Sequence, residues 1–501
     1  MPIATHRPRR LVAALVALAL ALAPAAAPPP ISSAVAQALP DLGDVAQAGF
    51  SPAQERKLGE AIMRQARASG GLLNDPEVND YLNELGNRLV AASPDARQDF
   101  EFFAVPDAGI NAFALPGGFV GVNAGLILLT QSESELASVL AHEITHVTQR
   151  HIARMLQSQQ QSMLMSLAAL AVALLAARAG GSSSGDMASA AIATSQALAI
   201  QNQLNFTREF EYEADRIGFQ RLAASGYDVR AAGAFMERMQ RSGRFLEGST
   251  PSYLRTHPVT YERIAEAQAR AQTLPYRQVA DSPDFQMVRA LLRSYQGEAQ
   301  DAVKFFRAAL AERKFNDENA VRYGLVASYL RAKDYAPAKR ELAALEKTAP
   351  PHPMIEAIGA HVLLESGDVA AAIVRIERAL QRYPNKMQLV YDYPEALVKA
   401  GRNADAAKFC EEQLVRFPGD GTLHRTAARA YAGLGRKLKE HYHQGEYYAW
   451  LGNLRGAVDQ LQLASRAGDA NFYESSVVET RLRVLRREIV EQQKEGFGKQ
   501  G

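Results

Sequence analysis

Cysteine is almost absent from this sequence, since Cys410 is the only one among 501 residues. No disulfide can form within the chain, so its stability must come from packed apolar side chains. A surplus of charge is missing too: 56 lysine and arginine residues face 54 acidic residues, and the formal net charge is +2. Because a nucleic-acid-binding domain carries a strongly basic face, the composition argues against a nucleic-acid partner.

Apolar runs long enough to cross a bilayer are also missing. The two strongest, residues 11–23 and 163–177, are shorter than the ~20 residues that a transmembrane helix needs. Arginines precede the first run and the small residues of "AVAQA" follow it, which is typical of a secretory signal peptide. We predict a signal peptide over residues 1–38, cleaved after Ala36 or Ala38, with a retained membrane anchor as the alternative.

The second apolar run is followed by the glycine- and serine-rich residues 180–185 and by another small apolar stretch. This pattern predicts a helical hairpin at about 160–200, inserted into a larger domain. Two interpretations stay open for residues 163–177. They either pack against their own domain or make peripheral contact with a membrane or a membrane-embedded partner.

The second half of the chain repeats itself. Three prolines recur at intervals of 34 residues: Pro350, Pro384 and Pro418. Gly367 and Gly401 are spaced by the same interval. A 34-residue period of paired helices is typical of tetratricopeptide repeats, which stack into an α-solenoid. We predict such repeats over 280–495, with an irregular helical bundle as the alternative.

Metal chemistry is indicated by the stretch "VLAHEITHVT". His142 and His146 stand four residues apart, so on a helix their imidazoles share one face and can reach one metal ion. Zinc lowers the pKa of water that it binds, and the adjacent Glu143 can accept the proton. The alternative is a chance match on an ordinary helix. Residues 130–156 as a whole predict one long helix.

A catalytic zinc normally has a third protein ligand, and "FTREFEYEADRIGF" is the best source. Glu211 and Asp215 share a helix face, so one carboxylate can bind zinc while the other accepts an imidazole N–H. On chemistry alone Glu211 and Glu213 compete as the ligand, and a solvated acidic helix face is the alternative to both.

The HExxH motif followed by "EYEAD" resembles the pattern of the M48 metallopeptidases. The resemblance implies one zinc ion per subunit, Glu211 as its third ligand, and Asp215 behind the ligands. It also implies a mostly α fold: a zincin-like domain over 39–275, built from helices and a small β-sheet, followed by the α-solenoid. We further predict two or three short strands, arranged like a hairpin, in "FEFFAVPDAGINAFALPGGFVGVNAGLILL".

The whole layout resembles one M48 branch, the periplasmic β-barrel assembly-enhancing proteases. The resemblance implies a periplasmic zinc endopeptidase that also acts like a chaperone, with protein substrates. Its repeats would bind the outer-membrane β-barrel assembly machinery and client barrels, including the lipopolysaccharide translocon. The competing hypothesis is a binding scaffold or chaperone whose protease activity is latent or secondary.

The same resemblance assigns three more features. The strand in "NAFALPGG" would lie beside the active site, where an extended substrate can pair with it. His257 matches a histidine near the zinc that acts as a gate or additional ligand. Arg263 matches an arginine that steadies the site or an oxyanion. The remaining histidines, His151 among them, are predicted to be structural or surface residues.

Overall fold

The structure is a computed structural model that describes residues 50–92, 98–157, 208–245 and 251–494. The predicted signal peptide and the apolar stretch 163–177 both lie outside the described residues. Within the described ranges, no helix combines the length and the apolar character that crossing a bilayer requires.

Two helices open the described chain, α1 (Pro52–Ala68) and α2 (Pro76–Ala91). Each has a proline in its first turn, where a missing N–H costs no helical hydrogen bond. The preceding side chain caps each helix: Ser51 accepts a hydrogen bond from the backbone N–H of Gln54, and Asp75 accepts one from Val78.

A three-stranded sheet follows, made of β1 (Glu101–Val105), β2 (Ala112–Leu115) and β3 (Phe119–Asn123). β2 and β3 form the predicted hairpin, whose turn contains Gly117 and Gly118 with φ of 80° and 93°. The hairpin-like prediction was wrong for β1, which pairs in parallel with β3. The strand order β1-β3-β2 therefore leaves β2 at an edge of the described sheet.

Seven helices complete the described N-terminal half: α3 (Ala124–Leu129), α4 (Glu133–Thr148), α5 (His151–Gln157), α6 (Arg208–Ala224), α7 (Arg230–Phe245), α8 (Ser252–Thr256) and α9 (Tyr261–Gln272). Nearly every side chain of α4 is buried, because α2, β2, α6 and α7 all pack around it. The predicted single helix over 130–156 was wrong. The chain leaves α4 at Gln149, and Arg150 adopts a left-handed conformation with φ of 53° before α5 begins.

The crossing of α4 and α6 is close because a glycine lies at it. A Cβ atom added to Gly218 would lie 3.1 Å from the carbonyl oxygen of Ala141. One turn further, the buried Arg221 donates hydrogen bonds to that carbonyl and to the Thr145 hydroxyl. These contacts hold the acidic N-terminal part of α6 beside the histidines of α4.

The C-terminal half is an array of antiparallel helices: α10 (Pro283–Ser294), α11 (Ala299–Ala311), α12 (Glu318–Arg331), α13 (Tyr335–Thr348), α14 (Pro353–Glu365), α15 (Val369–Arg382), α16 (Met387–Lys399), α17 (Asn403–Arg416), α18 (Gly421–Gly433), α19 (Lys437–Trp450), α20 (Leu454–Ser465) and α21 (Phe472–Lys494). The repeated prolines lie just beyond the ends of α13, α15 and α17. The repeated Gly367 and Gly401 make left-handed turns between helices, with φ of 90° and 74°. The mostly α fold class is thereby confirmed.

Helix α2 joins the two halves. Acidic side chains of α2 and of its N-cap bind the repeat helices. The N-cap Asp75 accepts from the Tyr295 hydroxyl, and Glu77 accepts from the Tyr323 hydroxyl. Asp80 accepts from the Met387 backbone N–H, and Glu84 pairs with Lys386. Burial raises the pKa of Glu77 to about 8, so this carboxyl is largely protonated at neutral pH. The peptidase half and the repeats accordingly belong to one compact unit within residues 46–501.

Candidate metal centre and active site

Four side chains from three separate segments converge in the N-terminal half. They are His142 and His146 of α4, Glu211 of α6 and His257, which follows α8; all four are buried. One nitrogen or oxygen atom from each lies within 4.8 Å of the others. Among the described residues this is the one group of that kind, and it contains the two predicted histidine ligands, Glu211 and the predicted gate His257.

The candidate ligand atoms of these residues lie close together. The Nε2 atoms of His142 and His146 are 2.9 Å apart, and each lies 3.5 Å from a carboxylate oxygen of Glu211. Neutral imidazoles together with a carboxylate are the ligand set that zinc and similar transition metals prefer. The residues present therefore fit a metal ion at this point.

Glu143 lies next to this cluster and is fully buried. Within the described chain neither of its carboxylate oxygens has a hydrogen-bond partner. Desolvation by burial raises the pKa of Glu143 above its ordinary range. A buried carboxylate with free acceptor positions and a raised pKa is suited to accept a proton from water.

Asp215 lies behind His142, at 3.0 Å from Oδ1 to Nδ1. An ionised carboxylate can only accept, so Nδ1 of His142 carries a proton, and Nε2 is the nitrogen that points into the cluster. Arg263 in turn holds Asp215, with Nε at 2.6 Å from Oδ2 and Nη2 at 2.8 Å from Oδ1. Burial opposes ionisation of Asp215, but the hydrogen bonds from Arg263 and His142 outweigh it and lower its pKa.

Arg263 is also 2.8 Å from Glu211 and donates to the carbonyl of Pro258. Only 3% of its surface is exposed. Of the two roles the resemblance gave this arginine, its contacts match the steadying of the site, because its guanidinium is taken up by two carboxylates and a carbonyl.

His257 occupies the remaining side of the cluster. Its Nδ1 lies 2.9 Å from Glu211 and 3.3 Å from Nε2 of His142, while its Nε2 lies 3.4 Å from Glu143. The ring packs against that of Tyr253, with centroids 4.9 Å apart. The side chain thus stands between the ligand atoms and the candidate base.

The structure separates the two glutamates that competed as the third ligand. Glu213 does not reach the cluster: its Oε2 lies 3.1 Å from Nε2 of His151 and 2.9 Å from Arg154. Nδ1 of His151 lies 2.9 Å from Nδ1 of His146. His151 is fully buried, and burial lowers its pKa to about 3.

Sequence reasoning missed His151 as a neighbour of the cluster. The prediction left it as a structural or a surface residue, and its side chain has no exposed area. A signal was present, since "HEITHVTQRH" contains a third histidine five positions after His146. A continuous helix would have carried that residue to a different face, which is why the spacing did not suggest contact.

Comparison with known proteins agrees with this geometry. The pattern of peptidase family M48 matches residues 76–271, which include every member of the cluster. A putative β-barrel assembly-enhancing protease of Vibrio cholerae is 35% identical, over 87% of this chain and 90% of that protein. The chain belongs to the M48 family of metallopeptidases. A tetratricopeptide-repeat pattern also matches residues 363–431 of this M48 peptidase, which confirms that its C-terminal half contains such repeats.

Two other relatives show how far the likeness extends. The β-barrel assembly-enhancing protease of Escherichia coli K12 is 31% identical to this M48 peptidase, over 96% of this chain and 97% of that protein. A mitochondrial metalloendopeptidase, OMA1 of Schizosaccharomyces pombe, is 30% identical over only 40% of this chain. The relatives are named as proteases or metalloendopeptidases, which favours the predicted peptidase over a binding scaffold whose protease activity is latent or secondary.

Proposed function

We propose that this M48 peptidase is a zinc-dependent endopeptidase of the periplasm that acts in the assembly and quality control of outer-membrane β-barrel proteins. The observation that carries the proposal is the convergence of two imidazoles and a carboxylate from distant segments beside a buried glutamate without hydrogen-bond partners. The names of the relatives that match nearly the whole chain support the barrel-assembly task.

In the proposed site, His142, His146 and Glu211 hold the zinc ion. When bound, zinc would supply a Lewis acid for the scissile carbonyl and for water. Glu143 then accepts a proton from water and delivers it to the leaving amine. Asp215 and its partner Arg263 keep the imidazole of His142 in the orientation and tautomer that binding requires.

Substrate binding would use the edge strand β2, which packs on α4 beside the cluster. An extended polypeptide can pair its backbone with such an edge, which gives affinity with little demand on side chains. This mode suits an enzyme that meets unfolded or stalled clients, because an extended backbone is what a folded barrel does not present.

The assignment of segments completes the proposal. Residues 1–38 direct export, 39–275 form the peptidase domain, and 280–495 bind the β-barrel assembly machinery and client barrels, including the lipopolysaccharide translocon. No nucleic acid takes part, since the chain has no net basic surplus beyond a formal charge of +2.

Crosslinking in cell envelopes tests the partner assignment. A Glu143→Gln variant should hold clients without cleaving them, so β-barrel proteins and components of their assembly machinery are expected among its crosslinked proteins. Mass spectrometry would measure their enrichment over a Glu209→Gln variant, which makes the same chemical change at an exposed position of α6. Equal recovery of barrel proteins with both variants would contradict client trapping.

His257→Ala is expected to raise basal peptidase activity. The imidazole of His257 stands between Glu211 and Glu143 and would compete with substrate for the open side of the metal. Removing the imidazole increases the fraction of enzyme molecules that can bind substrate. The rate should rise by roughly two- to tenfold if His257 blocks the site in most molecules. Initial rates on an unfolded protein substrate would show this, with His352→Ala in the repeats as control. An unchanged or lower rate would count against this role of His257.

A further inference from the structure

We propose that His151, anchored by Glu213, fixes the tautomer and the ring orientation of His146 so that Nε2 of His146 is free to bind the metal. His151 is thereby a positioning residue: it acts through His146 and does not touch the reacting atoms. The inference rests on the proposed metal site and adds to it a chain of three side chains, His146, His151 and Glu213, that ends in a carboxylate.

The direction of the hydrogen bonds follows from the end of the chain. The carboxylate of Glu213 can only accept, so Nε2 of His151, at 3.1 Å, must carry a proton. A neutral His151 then has an unprotonated Nδ1, which accepts the hydrogen bond across the 2.9 Å separation from Nδ1 of His146. His146 therefore carries its proton on Nδ1, and the lone pair of its Nε2 faces His142 and Glu211.

The opposite arrangement would disable the ligand. If His151 carried its only proton on Nδ1, it would donate to Nδ1 of His146. The proton of His146 would then lie on Nε2, which points at Nε2 of His142 only 2.9 Å away. A protonated Nε2 cannot bind a metal ion, so the acceptor at the far end of the chain decides whether His146 is available.

The backbone is shaped to make this contact. Along a continuous α-helix a residue five positions after His146 would be turned by about 140° from it and could not touch it. The helix instead ends at Thr148, and the left-handed Arg150, with φ of 53°, turns the chain back. The side chain of Arg150 pairs with the buried Glu55 of α1, which holds this turn in place.

The environment of His151 holds its ring in one plane. Phe210 stacks on it, with centroids 4.5 Å apart and the planes inclined by 9°. Arg154 donates to Glu213, and its guanidinium lies over the ring of Phe210, 4.5 Å from the ring centroid. The stacking fixes the plane of the His151 ring, and in that plane its two nitrogens face His146 and Glu213.

Helix α6 thus supplies a carboxylate behind each metal-ligating histidine by a different route. Asp215 lies on nearly the same face as Glu211 and reaches His142 directly. Glu213 is turned by about 200° from Glu211, toward α5, and reaches His146 only through His151. Of the three acids of "EYEAD", Glu211 and Asp215 both contact His142 and Arg263, whereas Glu213 contacts His151 and Arg154.

Zinc affinity measured in a Glu143→Gln background, which prevents self-cleavage, tests the proposal. His151→Phe keeps a flat ring against Phe210 but removes both nitrogens, so zinc should bind about 10- to 100-fold more weakly. His151→Gln, whose side-chain oxygen can accept from Nδ1 of His146, should recover most of the affinity. His424→Phe is the matched control, since His424 is a buried histidine of the repeats. Competition with a chelating dye measures each dissociation constant.

Glu213→Ala is a second test in case His151→Phe fails to fold. Glu213 lies partly at the surface, so its replacement disturbs the core less. Loss of its acceptor allows His151 to change tautomer, so the affinity should again fall, by at least fivefold. Circular dichroism of the metal-free proteins checks that each variant is folded. Zinc binding within twofold of the parent in both His151→Phe and Glu213→Ala would overturn the proposal. A parent that binds no zinc would instead overturn the proposed function.

Discussion

Glu143→Gln is expected to lower the rate of peptide hydrolysis by about 10²- to 10⁴-fold while zinc stays bound. The amide has nearly the shape of the carboxylate but cannot accept a proton from water. The change removes no hydrogen bond, because neither carboxylate oxygen of Glu143 has a hydrogen-bond partner among the described residues. Cleavage of an unfolded protein substrate and elemental analysis of the same sample would measure both effects.

The matched control is again Glu209→Gln, which should leave both rate and zinc content unchanged. Hydrolysis at a tenth or more of the parent rate by the purified Glu143→Gln variant would contradict the role of Glu143 as general base. The variant also separates the two contributions to the biological task. Full rescue of barrel assembly by Glu143→Gln, in cells that lack the protein, would assign that task to binding and not to cleavage.

Glu211→Gln is expected to weaken zinc binding by more than about 100-fold, beyond the usual effect of losing a residue behind a ligand. The carboxylate is the one negatively charged member of the proposed ligand set, and its two oxygens lie 3.5 Å from Nε2 of His142 and of His146. A neutral amide would leave the metal with two imidazoles and no compensating charge. Dialysis against zinc followed by elemental analysis would show a nearly empty protein.

Glu213→Gln is the informative comparison, because both glutamates were possible ligands on chemistry alone. Its affinity loss should be much smaller, since the amide oxygen can still accept from Nε2 of His151. If Glu213→Gln lost zinc as completely as Glu211→Gln did, the assignment of Glu211 as the ligand would be wrong. Zinc content near one per chain in Glu211→Gln would have the same meaning.

The local chemistry of the site could be predicted because it depends on residues that lie only a few positions apart in sequence. Two histidines four residues apart must share a helix face, and Glu211 and Asp215 must share one for the same reason. Which of Glu211 and Glu213 faced the metal could not be derived from spacing, since that depends on how α6 is rotated against α4. The contact of Gly218 with Ala141 sets this rotation, and it involves segments far apart in sequence.

Other features depended on turns or on distant partners. The contact of His151 with His146 requires a left-handed backbone at Arg150. This conformation is uncommon for residues other than glycine, so the sequence does not suggest it. The parallel pairing of β1 with β3 was hidden because adjacent strands in sequence favour a hairpin. The repeats were easier to predict, because glycines and prolines recur in the sequence at the 34-residue period of the repeat.

The acidic face of α2 has a practical consequence for anyone who wishes to cut this protein in two. Tyr81 of α2 lies against Phe285 of α10, with ring centroids 6.4 Å apart, and one apolar cluster runs from α2 into the repeats. Residues near 280 mark where the sequence pattern changes, but the interior continues across them. A catalytic fragment that ends there would expose apolar side chains of α2 to water and would leave its carboxyl groups without their partners. The activity and stability of such a fragment would therefore not represent those of the whole enzyme.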